Sequence, residues 1–192
     1  NKLVVFHDET LKRLGKTNLN IQKSNYDEIK NINLMNVDEH IPLFKEVLEL
    51  NNDQVTMLIE IKKTKRIKET IDQLAEELKP YMNYILESFD PRIVKYVHKN
   101  YSWIKCGLLV ENKYPKKIYN LFLKTSLPIK YCKPDFIAIS KKLLKNKKYM
   151  KKAKESPIFI WTITSSDEIE KDKDYVYICN NLMDTNYKKH LN

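Results

Sequence analysis

Glycine is nearly absent from this chain: 192 residues contain only 2 Gly. Neither GxGxxG nor GxxxxGK[ST] occurs, and two glycines cannot build a loop that cradles phosphates through its backbone, so nucleotide-binding open sheets are disfavoured. With only 2 Gly and 7 Pro, a turn-rich all-β architecture is also disfavoured. The 3 Cys (Cys106, Cys132, Cys179) are odd in number and widely spaced, which fits neither a disulfide framework nor a CxxC metal site. Reduced, buried thiols are expected. No apolar run approaches the ~20 residues a membrane span needs. The chain starts at Asn1 without Met and shows no charged leader or small-residue cleavage site, so it reads as the middle of a protein. The compartment stays open between cytoplasm and membrane surface.

What is present suits one soluble globular domain, with 42% hydrophobic and 31% charged residues. The formal net charge of +10 invites a polyanion partner, but the excess is local. Eight Lys lie between Lys141 and Lys154, and taking those eight charges from +10 leaves +2 for the rest. Leu143, Leu144, Met150 and Ala153 recur there at helical spacing, which predicts one helix with a Lys-rich solvated face. That face is a solubilising surface or a contact for anionic membrane. No zinc-finger spacing, Arg-rich reader or Gly-aromatic RNA motif occurs, so no nucleic-acid partner is expected.

Short β-branched runs alternate with helical patterns. Strands are predicted at Leu3–Phe6, Met57–Lys62, Tyr84–Phe89, Trp103–Val110, Phe136–Ser140, Ile158–Ile163 and Tyr175–Cys179. Helices are predicted over Asn25–Asn31, over Leu43–Leu50, over Lys65–Leu78, and after Asp90-Pro91, where an N-cap precedes Pro at the first helical position. A further helix is predicted after the capping box Ser165–Glu168. Nearly continuous apolar strands between helices indicate a parallel sheet buried on both faces. The fold class is therefore α/β, a (β/α)₈ TIM-type barrel. Such barrels take about 250 residues, so a chain of this length is expected to lack the first one or two βα units.

Charge on two strands marks candidate chemistry. In MLIEIK, alternation places Leu58, Glu60 and Lys62 on one face and Met57, Ile59 and Ile61 on the other. If the second face meets the helices, Glu60 and Lys62 point into the barrel near the C-terminal strand ends, where barrel enzymes carry catalytic groups. The alternative is a structural Glu–Lys pair. His7-Asp8 follows an apolar run and sits at a strand end or the loop beyond, as a catalytic or a structural histidine. His40, His98 and His190 lie in polar segments and are expected at the surface. Trp161 ends the run IFIW, as core or as a cleft wall.

Taken in order, VVFHDETLKR, IPLFKEVLEL, LIEIK, ILESFDPRIV and IFIWTIT resemble the glycerophosphodiester phosphodiesterase family. That family is a metal-dependent group with a TIM-barrel fold related to phosphatidylinositol-specific phospholipase C. HDxTLxR followed by EIK is the most specific pair. The resemblance implies His7 as a general acid or base, Glu60 as a ligand of a divalent metal (Ca²⁺ or Mg²⁺), and Lys62 as a cation that stabilises phosphate charge. It implies Phe89 and Trp161 as lining of the substrate cleft. The family's opening His-Arg-Gly strand and its next metal carboxylates do not occur here, so the chain alone is expected to be inactive or nearly so. The closing Thr-Asp or Ser-Asp is replaced by ICNNL, with Asn180 or Asn181 at the acidic position.

The implied function is metal-dependent hydrolysis of glycerophosphodiesters to glycerol 3-phosphate and an alcohol. Two alternatives stand beside it: a noncatalytic barrel that binds anionic lipid or a protein through Lys141–Lys154, and a related enzyme acting on lysophospholipid or sphingolipid.

Overall fold

In the computed structural model, residues 2–35, 37–111, 127–153, 155–170 and 173–180 are described. The chain divides into two compact units, one of Asn1–Met57 with Thr64–Tyr84, the other of Leu58–Lys63 with Ile85–Asn192.

The first unit is mostly loops around a small core. Leu11, Ile29 and Ile41 are buried at its centre, with Val4, Phe6, Leu19 and Ile21 packed against them. Helix α1 spans Tyr26–Ile29, and the Glu28 carboxylate accepts the Asn25 backbone N–H at 2.8 Å, closing its first turn. Helix α2, Phe44–Asn51, begins in the same way, with Glu46 accepting from Leu43 N at 2.7 Å. Helix α3 spans Ile67–Leu78 and buries Ile71, Leu74, Ala75 and Leu78, the apolar stripe its spacing predicts. Leu3–Phe6 does not form a strand of the sheet. Val4 makes one antiparallel bridge to Leu43, because Val5 N and Phe44 N find isolated partners in Pro42 O and Leu3 O.

The sheet has six strands in sequential order: β1 Met57–Glu60, β2 Tyr84–Ser88, β3 Cys106–Val110, β4 Ile137–Ser140, β5 Ile158–Ile163 and β6 Tyr175–Cys179. It is a curled parallel sheet, a half-barrel, with partners Glu87 to Gly107, Leu109 to Ala138, and Ser140 to Trp161 across successive ladders. β3 and β4 are buried at every position, as expected of parallel strands covered on both faces. One face carries Leu109, Phe136 and Ala138, with Leu58, Ile85, Phe89, Phe159 and Trp161 packed on them.

Between β2 and β3 runs helix α4, Pro91–Asn100, whose N-cap Asp90 accepts Arg92 N at 3.0 Å. It buries Ile93, Val94 and Val97 and packs against β3 and the short helix α5, Leu127–Cys132. His98, expected at the surface, is instead a bolt between elements. Its Nδ1 meets Cys132 O at 3.1 Å and its Nε2 meets Asp135 at 2.8 Å. Asp135 also accepts from Cys106 N at 2.8 Å and from Lys105 at 3.1 Å. Burial pushes the Asp135 carboxyl up, but these donors outweigh it and hold it below the usual carboxylate range.

The Lys-rich stretch is not one helix. A 3₁₀ turn at Lys141–Leu143 and helix α6 at Lys147–Ala153 replace it, and Lys141 is tied to Glu168 rather than free in solvent. After β5 the capping box closes only a 3₁₀ turn, Ser166–Glu168, with Glu168 also held by Lys141 and by Thr164 N. Cys106 and Cys132 are buried thiols, as expected, but Cys179 at the sheet edge is exposed. His40 is exposed, whereas His190 lies outside the described residues. Among the described residues no helix is long and apolar enough to cross a membrane.

Candidate active site

Strand parity decides which side chains share the inner face. Leu58 belongs to the inner cluster, so Glu60 and Lys62, two and four residues on, point the same way. Ile85 and Phe89 belong to it too, which puts Glu87 between them on that face. Of the expected residues, Glu60, Lys62, Phe89 and Trp161 therefore share one face of the sheet in the second unit.

Lys62 Nζ lies 2.7 Å from Glu60 Oε2, and both side chains are partly exposed, at 38% and 26%. The pair is a semi-solvated one rather than a buried lock, so both groups remain open to a ligand. Phe89 and Trp161 meet edge to face, with ring centroids 5.7 Å apart and planes at 85°. Trp161 Nε1 donates to Ala138 O at 3.0 Å, which holds the indole in place and leaves its ring as an apolar wall. Behind the wall Phe136 and Phe159 stack at 4.2 Å.

Glu87 was not among the expected site residues. It is buried, and its Oε2 has no hydrogen-bond partner among the described residues. Burial, and then the charge of Glu60, push its carboxyl up to about 7, against a smaller opposing effect of Lys62. The alternation that marks Glu60 in MLIEIK also marks Glu87 in YILESF, so the signal was present in the sequence. The neighbouring Ser88 points away, donating to Ile61 O at 2.7 Å and accepting from Asp90 N at 3.2 Å.

His7 belongs to the first unit, in the loop HDETLKR. Its Nδ1 lies 2.8 Å from Asp8 Oδ1. Arg13 grips the same carboxylate through Nε at 2.7 Å and Nη2 at 3.0 Å. Arg13 first, and His7 second, hold the Asp8 carboxyl well below the usual carboxylate range. The leucine of the motif serves the fold instead, since Leu11 is fully buried and anchors the loop from which Arg13 turns back. An ionised Asp8 accepts the Nδ1 proton of His7, so Nε2 is the ring nitrogen left for a ligand, on a side chain 78% exposed. Asp8 and Arg13 thus orient His7, a role the sequence motif contained but did not assign. Asn180 is tied by its N–H to Ile163 O at 2.9 Å, and Asn181 lies outside the described residues.

Carboxylate oxygens suit a hard divalent cation, and an unpartnered buried oxygen on Glu87 is one such donor. Among the described residues no three His, Cys, Asp or Glu side chains cluster as a metal group.

The family model described as glycerophosphoryl diester phosphodiesterase family matches residues 1–180. No curated protein matches. Among solved structures, the glycerophosphodiester phosphodiesterase of Thermotoga maritima is 25% identical, with 93% of this chain and 75% of that one covered and a TM-score of 0.68. One from Parabacteroides distasonis, at 19% identity, covers 93% and 74% with a TM-score of 0.72. A phosphodiesterase of Oleispira antarctica, in complex with the product sn-glycerol-3-phosphate, is 17% identical over 91% and 74%, with a TM-score of 0.69. With nearly its whole length matched and its carboxylate, lysine and aromatic pair on one face of a half-barrel, the chain belongs to the glycerophosphoryl diester phosphodiesterase family.

Proposed function

We propose that this protein hydrolyses glycerophosphodiesters to glycerol 3-phosphate and an alcohol, in a metal-dependent reaction assisted by His7. The observation that carries the reading is the Glu60–Lys62 pair at 2.7 Å on the inner face of the half-barrel, in a chain that matches this family over residues 1–180. The half-barrel of six strands is read as part of an eight-stranded barrel.

Glu60 would hold a divalent cation, Ca²⁺ or Mg²⁺, which when bound polarises a nonbridging phosphoryl oxygen. Lys62 faces the same space and supplies fixed positive charge for the phosphate as negative charge builds on its oxygens. Phe89 and Trp161 form an apolar wall that receives the carbon skeleton of the glycerol and keeps water from the flank of the site. His7 Nε2, the ring nitrogen that Asp8 does not engage, accepts a proton from the attacking oxygen or, once protonated, delivers one to the leaving alkoxide.

The test is release of glycerol 3-phosphate from glycerophosphocholine by the full-length protein with Ca²⁺ or Mg²⁺, repeated with a chelator. Chelator-sensitive release is expected, and it should vanish in Glu60→Gln. A cyclic phosphate product would instead indicate a lyase acting on lysophospholipid or sphingolipid. Failure to release product with any metal, from folded full-length protein, would overturn the reading in favour of a binding barrel. Support for that alternative lies in Lys142, Lys145, Lys147 and Lys151, which are exposed and able to meet anionic membrane.

A further inference from the structure

Glu60 and Glu87 stand level on neighbouring strands. Ile61 N donates to Glu87 O at 2.8 Å and Met57 N to Asn83 O at 2.9 Å. In a parallel ladder that offset makes Glu60 the direct partner of Glu87. Adjacent strands lie about 4.8 Å apart, so two carboxylates on one face at the same level are immediate neighbours.

Such a pair repels unless something positive joins it. Lys62 is the nearby cation, and it meets Glu60 Oε2 rather than Glu87. Glu87 is only 7% exposed, and its Oε2 has no partner among the described residues. Its other flank offers nothing, since the residue level with it on β3 is Gly107, and the space a side chain would fill there holds the Phe136 ring. An uncompensated carboxylate walled by an aromatic ring is costly, and a hard cation bridging to it would remove the cost.

Resting on the metal-dependent reading above, we infer that Glu87 is a second carboxylate ligand of the cation held by Glu60, the two side chains bridging one ion across β1 and β2. The ion this suits best is Mg²⁺, which takes one or two carboxylates and completes its shell with water and the substrate's phosphate oxygens. Glu87 would then add negative charge to the metal site from a strand whose other contribution is the apolar wall at Phe89.

The experiment is calorimetric titration of Mg²⁺, and separately Ca²⁺, into the metal-stripped full-length protein and its E60Q and E87Q variants. Melting temperatures are read with and without the ion. Each substitution is expected to weaken the ion's Kd by about tenfold or more and to shrink the rise in melting temperature that the ion produces. If E60Q weakens binding and E87Q does not, the inference falls while the metal-dependent reading stands. If the unaltered protein binds neither ion, both fall. A lowered melting temperature of ion-free E87Q with unchanged Kd would make Glu87 structural and overturn the inference. Should E87Q not fold, E87D keeps the charge but withdraws it by one methylene. A shifted Kd in E87D supports the inference, and an unchanged one overturns it.

Discussion

The ring of Phe136 lies where a side chain at Gly107 would stand. A Cβ at Gly107 would come within 2.3 Å of Phe136 Cε2. The ring cannot swing aside freely, because Phe159 stacks on it at 4.2 Å. One of the chain's two glycines is therefore placed by packing rather than by a turn.

Gly107→Ala should destabilise the second unit by about 1–3 kcal/mol, the usual cost of overpacking a filled core. Thermal denaturation checks it. An unshifted melting temperature would mean that the Phe136–Phe159 stack yields.

His7→Ala should lower turnover of the full-length enzyme by about 10²–10⁴-fold, the range for a lost general acid or base. The side chain is 78% exposed, so the melting temperature should scarcely move. Asp8→Asn should reduce the rate less, since it removes only the group that fixes the imidazole tautomer. Normal activity in both variants would return His7 to a purely structural role.

Trp161→Phe deletes the Nε1 donor to Ala138 O, a carbonyl that keeps its place in the β3–β4 ladder. A loss of about 0.5–1.5 kcal/mol is expected. The ring shape that meets Phe89 is partly retained. KM for a glycerophosphodiester should therefore rise more than kcat falls, and steady-state kinetics separate the two.

The Asp135 cluster makes stability pH-dependent in a defined direction. Its folded-state pKa lies below the ordinary value of an aspartate carboxyl, so the carboxylate contributes stability that is fully present above that ordinary value. Stability is lost as pH falls through the lower folded-state value. Urea unfolding followed from neutral pH into the acid range should show the drop, and Asp135→Asn should flatten it. A variant with the wild-type slope would show that other carboxylates dominate acid unfolding.

The two charged residues of MLIEIK were legible because strand alternation has a period of two and needs no tertiary knowledge, whereas Phe89 and Trp161 rested on the resemblance to the family. The same rule reaches Glu87, which shares a face with Ile85 and Phe89 on its own strand. His98 was not legible. Its partners Cys132 and Asp135 lie 34 and 37 residues away, and no local pattern joins them. Leu3–Phe6 misleads in the opposite way: its β-branched run has strand propensity, yet it makes only the single bridge to Leu43.

Hydrophobic periodicity is a local property, and it made the parallel α/β class and five of the six strands legible nearly to their ends, while the type of chemistry came from the resemblance its motifs carry. Only the tertiary structure decided that Glu60 has Glu87 beside it, that Phe136 fills the space over Gly107, and that His98 bolts α4 to the segment before β4. Each depends on ladder register or on contacts between distant segments, and register is set by packing across strands that no single strand encodes.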